Sequence, residues 1–126
     1  MSNQVVIVTG AARGIGFGIG TCFAKQGATV VVADLDLEAA QGAATGLKEA
    51  GAAEALGLAC DIADRSSVQK MVDDALDACG RIDVLVNNAG ICPFVDIMEM
   101  SPEMWQKTID VDLNGAFHCR DNFVKR

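Results

Sequence analysis

The stretch Val5–Gly16, Val-Val-Ile-Val-Thr-Gly-Ala-Ala-Arg-Gly-Ile-Gly, restricts the fold of this chain more than any other. It opens with four apolar β-formers, and such an uninterrupted run is typical of a strand buried on both faces of a parallel sheet. Gly10, Gly14 and Gly16 follow the run in close succession. Apolar residues then recur with helical spacing at Ile15, Ile19, Cys22 and Phe23. A strand, a glycine-rich turn and a helix together are the context in which a glycine fingerprint indicates phosphate binding.

The physical basis of this interpretation is the start of the helix. Its first amides have no partner within the helix and lie at the positive end of the helix dipole, so a pyrophosphate there satisfies both. Glycine lets the phosphate approach, because a Cβ atom would hold it away from the backbone. The spacing here, Gly10-x-x-x-Gly14-x-Gly16, differs from the G-x-G-x-x-G pattern. An ordinary tight turn is the alternative interpretation.

The remainder of the chain alternates predicted strands and helices. Strands are expected at 29–34, at 55–60 and around 84–86, and helices at 37–50, from Asp64 or Ser66 to 79, and from Ser101 to the C-terminus. This last helix carries Trp105, Ile109, Leu113 and Phe117. The alternation predicts an α/β fold, a Rossmann-type doubly wound parallel sheet with strand order 3-2-1-4 that stops after the fourth strand and its helix. Residues 1–126 would form one incomplete nucleotide-binding domain.

Polar residues or glycines follow every predicted strand. The glycine turn follows the first strand, Asp34 ends the second, Asp61 the third, and Asn88–Gly90 comes after the fourth. Because the carboxyl ends of parallel strands lie at one edge of the sheet, these features are expected to converge at the switch point between strands 1 and 4. Their convergence predicts a binding cleft.

Asp34 would bind the hydroxyls of the adenine ribose and repel a 2′-phosphate, which favours NAD over NADP. Arg13 is the opposing signal, since a guanidinium can meet a 2′-phosphate. Asp61 would accept from the adenine amino group, with Ile62 against the ring. A solvated turn aspartate is the alternative for Asp34 and Asp61. The amides after strand 4 would join neighbouring strand ends or simply form a turn.

Composition excludes several classes of protein. The 126 residues suit one domain, the 51% hydrophobic content disfavours disorder, and a net charge of −7 disfavours a nucleic-acid partner. Five scattered cysteines without C-x-x-C spacing predict reduced thiols in the cytoplasm, no disulfide framework and no metal site. The early first strand leaves no room for a signal peptide, and no apolar run is long enough to cross a membrane.

Five segments resemble, in the same order, the short-chain dehydrogenase/reductase family along the whole chain. They are Thr9–Gly16, Asp34, Asp61–Ile62, Asn87–Gly90 and Val111–Gly115. The resemblance implies a Rossmann fold, a nicotinamide dinucleotide cofactor, and hydride transfer between that cofactor and a carbonyl or alcohol substrate. The cofactor contacts that it implies are Gly10, Arg13, Gly14, Ile15, Gly16, Asp34, Leu35, Asp61, Ile62, Asn88, Ala89 and Gly90.

The chain departs from the family pattern at its catalytic residues. Asp112 stands where the family has a catalytic Asn, and Asn114, two residues on, would face elsewhere on a helix. The family's Tyr-x-x-x-Lys has no counterpart, and the chain contains no tyrosine. His118 is the one acid–base candidate near neutral pH, with packing or surface placement as the alternative.

These departures predict the N-terminal NAD-binding portion of a dehydrogenase, inactive by itself. A stand-alone nucleotide-binding or interaction module, or a partner chain that completes the site, stays open. We also expect self-association through the last helix or the exposed edge of strand 4.

Overall fold

The computed structural model describes residues 3–125, which form one parallel sheet with helices on both faces. The strands are β1 Val5–Thr9, β2 Thr29–Asp34, β3 Glu54–Ala59 and β4 Val84–Val86. The helices are α1 Gly14–Lys25, α2 Leu37–Ala50, α3 Arg65–Cys79, α4 Pro102–Ile109 and α5 Gly115–Lys125, with a π-helical turn at Asp110–Asn114 between the last two. The predicted fold class and the strand order 3-2-1-4 are confirmed.

Strand β1 is the centre of the sheet. Its Val6 is in register with Val30 of β2 on one side and Val84 of β4 on the other, and all five β1 residues are buried. Among residues 3–125, no strand pairs with the outer edge of β4. The carboxyl end of β1 therefore lies between two neighbouring strand ends, which is the switch point of the sheet.

Alternate residues of β1 enter the two layers of the core. Ile7 packs with α3 and α5 residues on one face, among them Val68, Met71 and Cys119. Val6 and Val8 pack on the other face with residues of α1 and α2 such as Ala24, Ala40 and Leu47. This two-sided burial is why the opening run is continuously apolar rather than alternating.

The predicted apolar stripe of α1 is only partly confirmed, because Ile19 and Phe23 are half-buried against the core. Ile15 and Cys22 are exposed, and the buried residues of this helix are Gly16, Gly20 and Ala24. A Cβ atom on Gly20 would lie 3.2 Å from Leu47 Cδ1, so the small residue allows α1 to approach α2. The fully buried residues of this helix are therefore small ones that permit close backbone packing, and Ile19 and Phe23 pack beside them.

Strand β3 is shifted by one residue from its prediction. It begins at Glu54, and Cys60 follows its last residue. Gly57 lies at its most buried point, where a Cβ atom would stand 2.5 Å from the backbone carbon of Ala40 in α2. The glycine thus allows α2 to lie directly on the sheet.

The predicted last helix is interrupted by the π-helical turn. There the Asp110 Oδ1 atom accepts from Gln106 Nε2 at 2.9 Å and from Asn114 Nδ2 at 3.0 Å. One carboxylate therefore bridges the two flanking turns. A π-helical turn inside a helix is rare and occurs frequently at functional sites.

Candidate functional site

A cleft of about 980 Å³ opens at the carboxyl ends of all four strands. One wall consists of the turns that follow the strands, and the other is formed by the start of α4 and the π-helical turn. Its lining includes Gly10, Arg13, Asp34, Leu35, Cys60, Asp61, Ile62, Asn88, Ala89, Gly90, Glu103, Gln106, Lys107 and Asp110. A single large cleft at the switch point is where α/β sheets bind their ligands.

The glycine turn after β1 has backbone angles at which a residue with a Cβ atom would be strained. Gly10 has φ +65° and Gly14 has φ +61°, in the left-handed region. A Cβ atom on Gly16 would lie 2.5 Å from the Gly10 oxygen and 2.5 Å from Asn88 Nδ2. The turn is therefore closed tightly against α1 and the end of β4.

Helix α1 begins differently from the other helices that start in a loop. Its N-cap residue, Arg13, makes no side-chain capping bond, and its first turn contains no acidic residue. The side chains of Asp36, Asp64 and Ser101 instead cap α2, α3 and α4 by accepting from backbone amides. In the described part of the chain, the amino end of α1 is thus left without the acidic or hydroxyl partner that the other three have, and it can meet an external anion.

Asp34 is joined to the glycine turn. Its Oδ2 atom accepts from the Ala12 backbone N–H at 3.2 Å, and the Gly10 N–H donates to the Ala33 oxygen at 2.7 Å. The carboxylate is half-buried in the cleft wall. The other carboxylate oxygen, Oδ1, accepts from the Asp36 N–H at 3.5 Å, and each oxygen has more than one acceptor position.

Thr9 and Asn88 tie the ends of β1 and β4 together. The Thr9 hydroxyl, which is buried, accepts from the backbone N–H groups of Asn88 and Ala89 at 3.1 and 3.0 Å. The Asn88 side chain donates to the Thr9 and Gly10 oxygens at 3.0 and 3.2 Å. These bonds fix the floor of the cleft and provide the strand-end connection that the sequence indicates for Asn88.

The turn after β3 brings Asp61 and Ile62 into the same wall. The Asp61 Oδ1 atom accepts from the Ala63 N–H at 3.0 Å, and the Asp61 N–H donates to Ser67 Oγ at 2.9 Å. Ile62 is 7% exposed. Leu35, which follows β2, is exposed on the neighbouring wall. The turn therefore combines an acceptor with apolar surface, which suits a heteroaromatic ring.

Asp112 is exposed and is not itself a lining residue of the cleft, although it contacts two residues that are. Its Oδ1 atom accepts from the Ile91 N–H at 2.8 Å, and a Cβ atom on Gly90 would lie 3.2 Å from the same oxygen. Asn114 has a different partner, because it donates to Asp110. Asp112 thus holds the loop after β4 against the π-helical turn.

The structure brings most of the predicted contacts together but not all of them. The exceptions are Gly14, Ile15, Gly16 and Asp112, which are absent from the lining of the cleft. Gly16 is buried beneath the turn, and Ile15 is exposed on the first turn of α1. These positions shape the turn or flank it.

Sequence reasoning missed one wall of the cleft and one hydroxyl. The wall is the polar face of α4 with the following turn, formed by Glu103, Gln106, Lys107 and Asp110. Their helical spacing is a signal that was available in the sequence. Thr9 is the missed hydroxyl, and nothing in the sequence distinguishes it from a residue that ends a strand.

Two titratable groups near the cleft have displaced pKa values. Burial raises the pKa of the Cys60 thiol to about 11, against a weaker opposing effect from its hydrogen bond with Ser67. A hydrogen bond from the Ser66 hydroxyl, followed by one from the Ser66 amide, lowers the pKa of Asp64. The thiol is therefore a neutral part of the wall, and Asp64 is the charged cap of α3.

Residues 3–125 hold neither a candidate membrane span nor a candidate metal site. None of the described helices is long and apolar enough to cross a membrane. No group of three or more His, Cys, Asp or Glu residues in this range is arranged to hold a metal ion.

Comparisons with known proteins give one consistent picture. A family model described as short chain dehydrogenase matches residues 4–126. L-rhamnose 1-dehydrogenase (NAD(P)(+)) of Azotobacter vinelandii is 43% identical over 118 residues, which cover 91% of this chain and 46% of the relative. D-threitol dehydrogenase of Mycolicibacterium smegmatis is 39% identical, with coverage of 93% and 45%. The chain therefore spans about half the length of the curated relatives it matches.

Solved structures resemble nearly the whole chain. A short-chain type dehydrogenase/reductase from Mycobacterium marinum matches with a TM-score of 0.92 and 31% identity, over 98% of this chain and 48% of that one. A metagenomic short-chain oxidoreductase in complex with NADP matches with a TM-score of 0.90 and 36% identity, over 98% of this chain and 56% of that one.

Proposed function

This chain belongs to the short-chain dehydrogenase family, and we propose that it is the part of an oxidoreductase that binds a nicotinamide dinucleotide. The observation that carries the proposal is the uncapped amino end of α1 beside a cleft at the switch point of the sheet. An anionic group is the ligand that such a helix end favours.

The residues of the cleft fit the parts of a dinucleotide. The first turn of α1 and Arg13 would hold the pyrophosphate, because they provide amides and a cation beside glycines that lack side chains. Asp34 would accept from the adenine ribose, and Asp61 from the adenine amino group. Ile62 and Leu35 provide apolar surface for the adenine ring. The turn after β4, with Asn88, Ala89 and Gly90, would line the remainder of the dinucleotide.

We propose NAD rather than NADP as the preferred cofactor. The Ala12 N–H holds the Asp34 carboxylate at the end of β2, where a 2′-phosphate would meet a like charge. Arg13 is exposed, and its guanidinium is the group in this turn that would favour the phosphate. The relatives do not decide the preference, because one is named for both cofactors and one structure contains NADP.

A bound nicotinamide would supply the hydride donor or acceptor for a carbonyl or alcohol substrate. The chain contains no tyrosine to pass a proton to or from the substrate oxygen. Asp112, at the family's Asn position, is occupied with the Ile91 N–H and lies outside the lining of the cleft. We therefore propose that residues 1–126 bind the cofactor but do not catalyse the reaction by themselves.

We further propose that the helix after β4 is a self-association surface. Trp105, Leu113 and Phe117 recur at helical spacing along it and are 55%, 63% and 56% exposed. The unpaired edge of β4 is a second candidate surface. Sedimentation equilibrium of the wild-type chain and Leu113→Asp tests the first surface, and an unchanged association constant would exclude it.

Titration with NADH tests the proposed function. Binding against the apolar part of the cleft wall is expected to enhance the NADH fluorescence. We expect a dissociation constant below about 1 mM, which corresponds to a binding free energy of about −4 kcal/mol. Competition by 5′-AMP would show that the adenine half occupies the site. A folded chain that gives no fluorescence change and no calorimetric heat with NADH would overturn the proposal.

A further inference from the structure

One side chain of α5 reaches back to the turn after β3. The His118 Nδ1 atom lies 2.9 Å from the backbone oxygen of Ile62, which is 56 residues earlier in the chain. A carbonyl oxygen only accepts, so Nδ1 carries the hydrogen and donates it. The sequence leaves open an acid–base candidate or a packing or surface histidine at this position, and the structure gives the side chain a specific long-range partner.

Helix α5 contacts Ile62 at a second point. A Cβ atom on Gly115, the first residue of the helix, would lie 2.7 Å from both Cγ1 and Cδ1 of Ile62. The backbone of α5 is therefore packed directly on this side chain. His118 is itself restrained one turn further on, because the buried Asn122 side chain donates to the His118 oxygen at 2.9 Å.

The bonded carbonyl belongs to a peptide group that also orients Asp61. The Ile62 oxygen and the Ala63 N–H lie in one planar unit, so fixing the first fixes the second. That N–H donates to Asp61 Oδ1 at 3.0 Å. One peptide group thus connects His118 to the carboxylate and to the apolar side chain that form this wall of the cleft.

We propose that His118 is a positioning residue for adenine recognition, and that it acts by locking the Ile62–Ala63 peptide group. The inference rests on the proposed function, because it assigns this wall to the adenine ring. His118 does not line the cleft, so it acts through Asp61 and Ile62. Loss of its bond would remove one of the restraints on this peptide and would widen the range of positions of both side chains.

Two variants test the proposal by competition with bound NADH. His118→Leu removes the donor, whereas His118→Asn keeps an N–H₂ donor close to the position of Nδ1. The probes are 5′-AMP, which carries the adenine, and inorganic pyrophosphate, which does not. His118→Leu should weaken the binding of 5′-AMP about three- to tenfold, which is the effect of one ordinary hydrogen bond. It should weaken the binding of pyrophosphate by less than about twofold. His118→Asn should restore most of the affinity for 5′-AMP.

The outcomes separate this inference from the proposed function. Unchanged 5′-AMP affinity in His118→Leu, or an equal weakening of both probes, would overturn the positioning role while wild-type NADH binding stands. Absence of NADH binding by the wild-type chain would overturn both. If His118→Leu does not fold, ¹⁵N NMR of the wild-type imidazole decides, because the bond requires the tautomer with hydrogen on Nδ1, and the Nε2–H tautomer would overturn the proposal.

Discussion

The backbone N–H of Ala12, in the glycine turn, donates to the Asp34 carboxylate at the end of β2 over 3.2 Å. This bond joins the group proposed to select the cofactor to the turn proposed to hold its phosphates. Because a charge-assisted hydrogen bond fixes the carboxylate, the two parts of the cleft are expected to be pre-organised relative to each other. The ligand would not have to order them.

Replacing Asp34 should change cofactor preference. Asp34→Asn removes the charge that repels a 2′-phosphate and weakens the acceptor for the ribose hydroxyls. We expect about tenfold weaker NADH binding, since a hydrogen bond to a charged group contributes about 1.5–3 kcal/mol. NADPH binding should improve, and fluorescence titration of both cofactors gives the ratio.

The matched control for Asp34→Asn is Glu38→Gln, an equal change of charge in the first turn of α2. Glu38 is exposed and absent from the lining of the cleft, so the ratio of NADH to NADPH affinity in Glu38→Gln should stay at the wild-type value. Equal ratios in both variants would remove Asp34 from the role.

Substitution of two glycines of α1 by alanine should change the free energy of unfolding in opposite directions. Gly16→Ala would place a Cβ atom 2.5 Å from the Gly10 oxygen, and such overpacking typically costs about 1–3 kcal/mol of the free energy of unfolding. Gly18→Ala meets nothing within 4 Å and should stabilise the helix by up to about 1 kcal/mol. Urea unfolding of the two variants measures both effects. Equal stability of the two would contradict the tight closure of the turn.

The five cysteines should divide by their reactivity. Cys22 and Cys92 are exposed, whereas burial raises the pKa of Cys60 to about 11 and that of Cys119 to about 12. Only the thiolate reacts, so at pH 8 an aromatic disulfide reagent should modify the two exposed thiols first. Burial, the larger cause, and the charge of Glu54 also raise the pKa of Cys79, which should react slowly.

A variant with Cys22→Ser and Cys92→Ser should lose the fast phase, and in denaturant it should show three reactive thiols where the wild type shows five. A fast phase that persists in the double variant would show that a buried thiol is accessible.

The ion pair between α3 and α5 should make the free energy of unfolding depend on pH in the acidic range. Hydrogen bonds from Arg65 and then Lys125 lower the pKa of the buried Asp121 below its ordinary value of 3.8. Because the pKa is lower in the folded state, this stabilisation is fully present above the unfolded value and is lost as pH falls through the folded one. Asp121→Asn should therefore be less stable than wild type at pH 7, with the difference shrinking below about pH 4. Thermal unfolding from pH 7 to pH 2 measures it, and a constant difference would contradict the assignment.

Local rules predict α3 and its ends well. Val68, Met71, Val72 and Ala75 recur at helical spacing in the sequence and are buried, and Asp64, one of the two predicted starts, is the N-cap of the helix. Both features depend on residues close in sequence, namely a helical period and a carboxylate that accepts from the nearby Ser66 N–H. The same holds for Ser101 and α4.

The features that sequence analysis did not predict are those that depend on contacts between segments distant in the chain. The fully buried residues of α1 are Gly16, Gly20 and Ala24, which give little hydrophobic signal because close backbone contact requires small residues there. The π-helical turn depends on a register change that no local propensity fixes. The bond from His118 to Ile62 spans the topology of the sheet, so the sequence contains no short-range trace of it.

The binding of NADH at the glycine turn is measured most directly by ¹H–¹⁵N NMR during a titration. We predict that the amides of 10–16, Asp34 and 61–63 shift in fast or intermediate exchange and saturate together. The surface hollow lined by Gln69 of α3 and Lys125 of α5 serves as the internal control, and the amides of these two residues should stay unchanged. Unperturbed amides in the glycine turn at saturating NADH, or shifts confined to the control hollow, would contradict the proposed site.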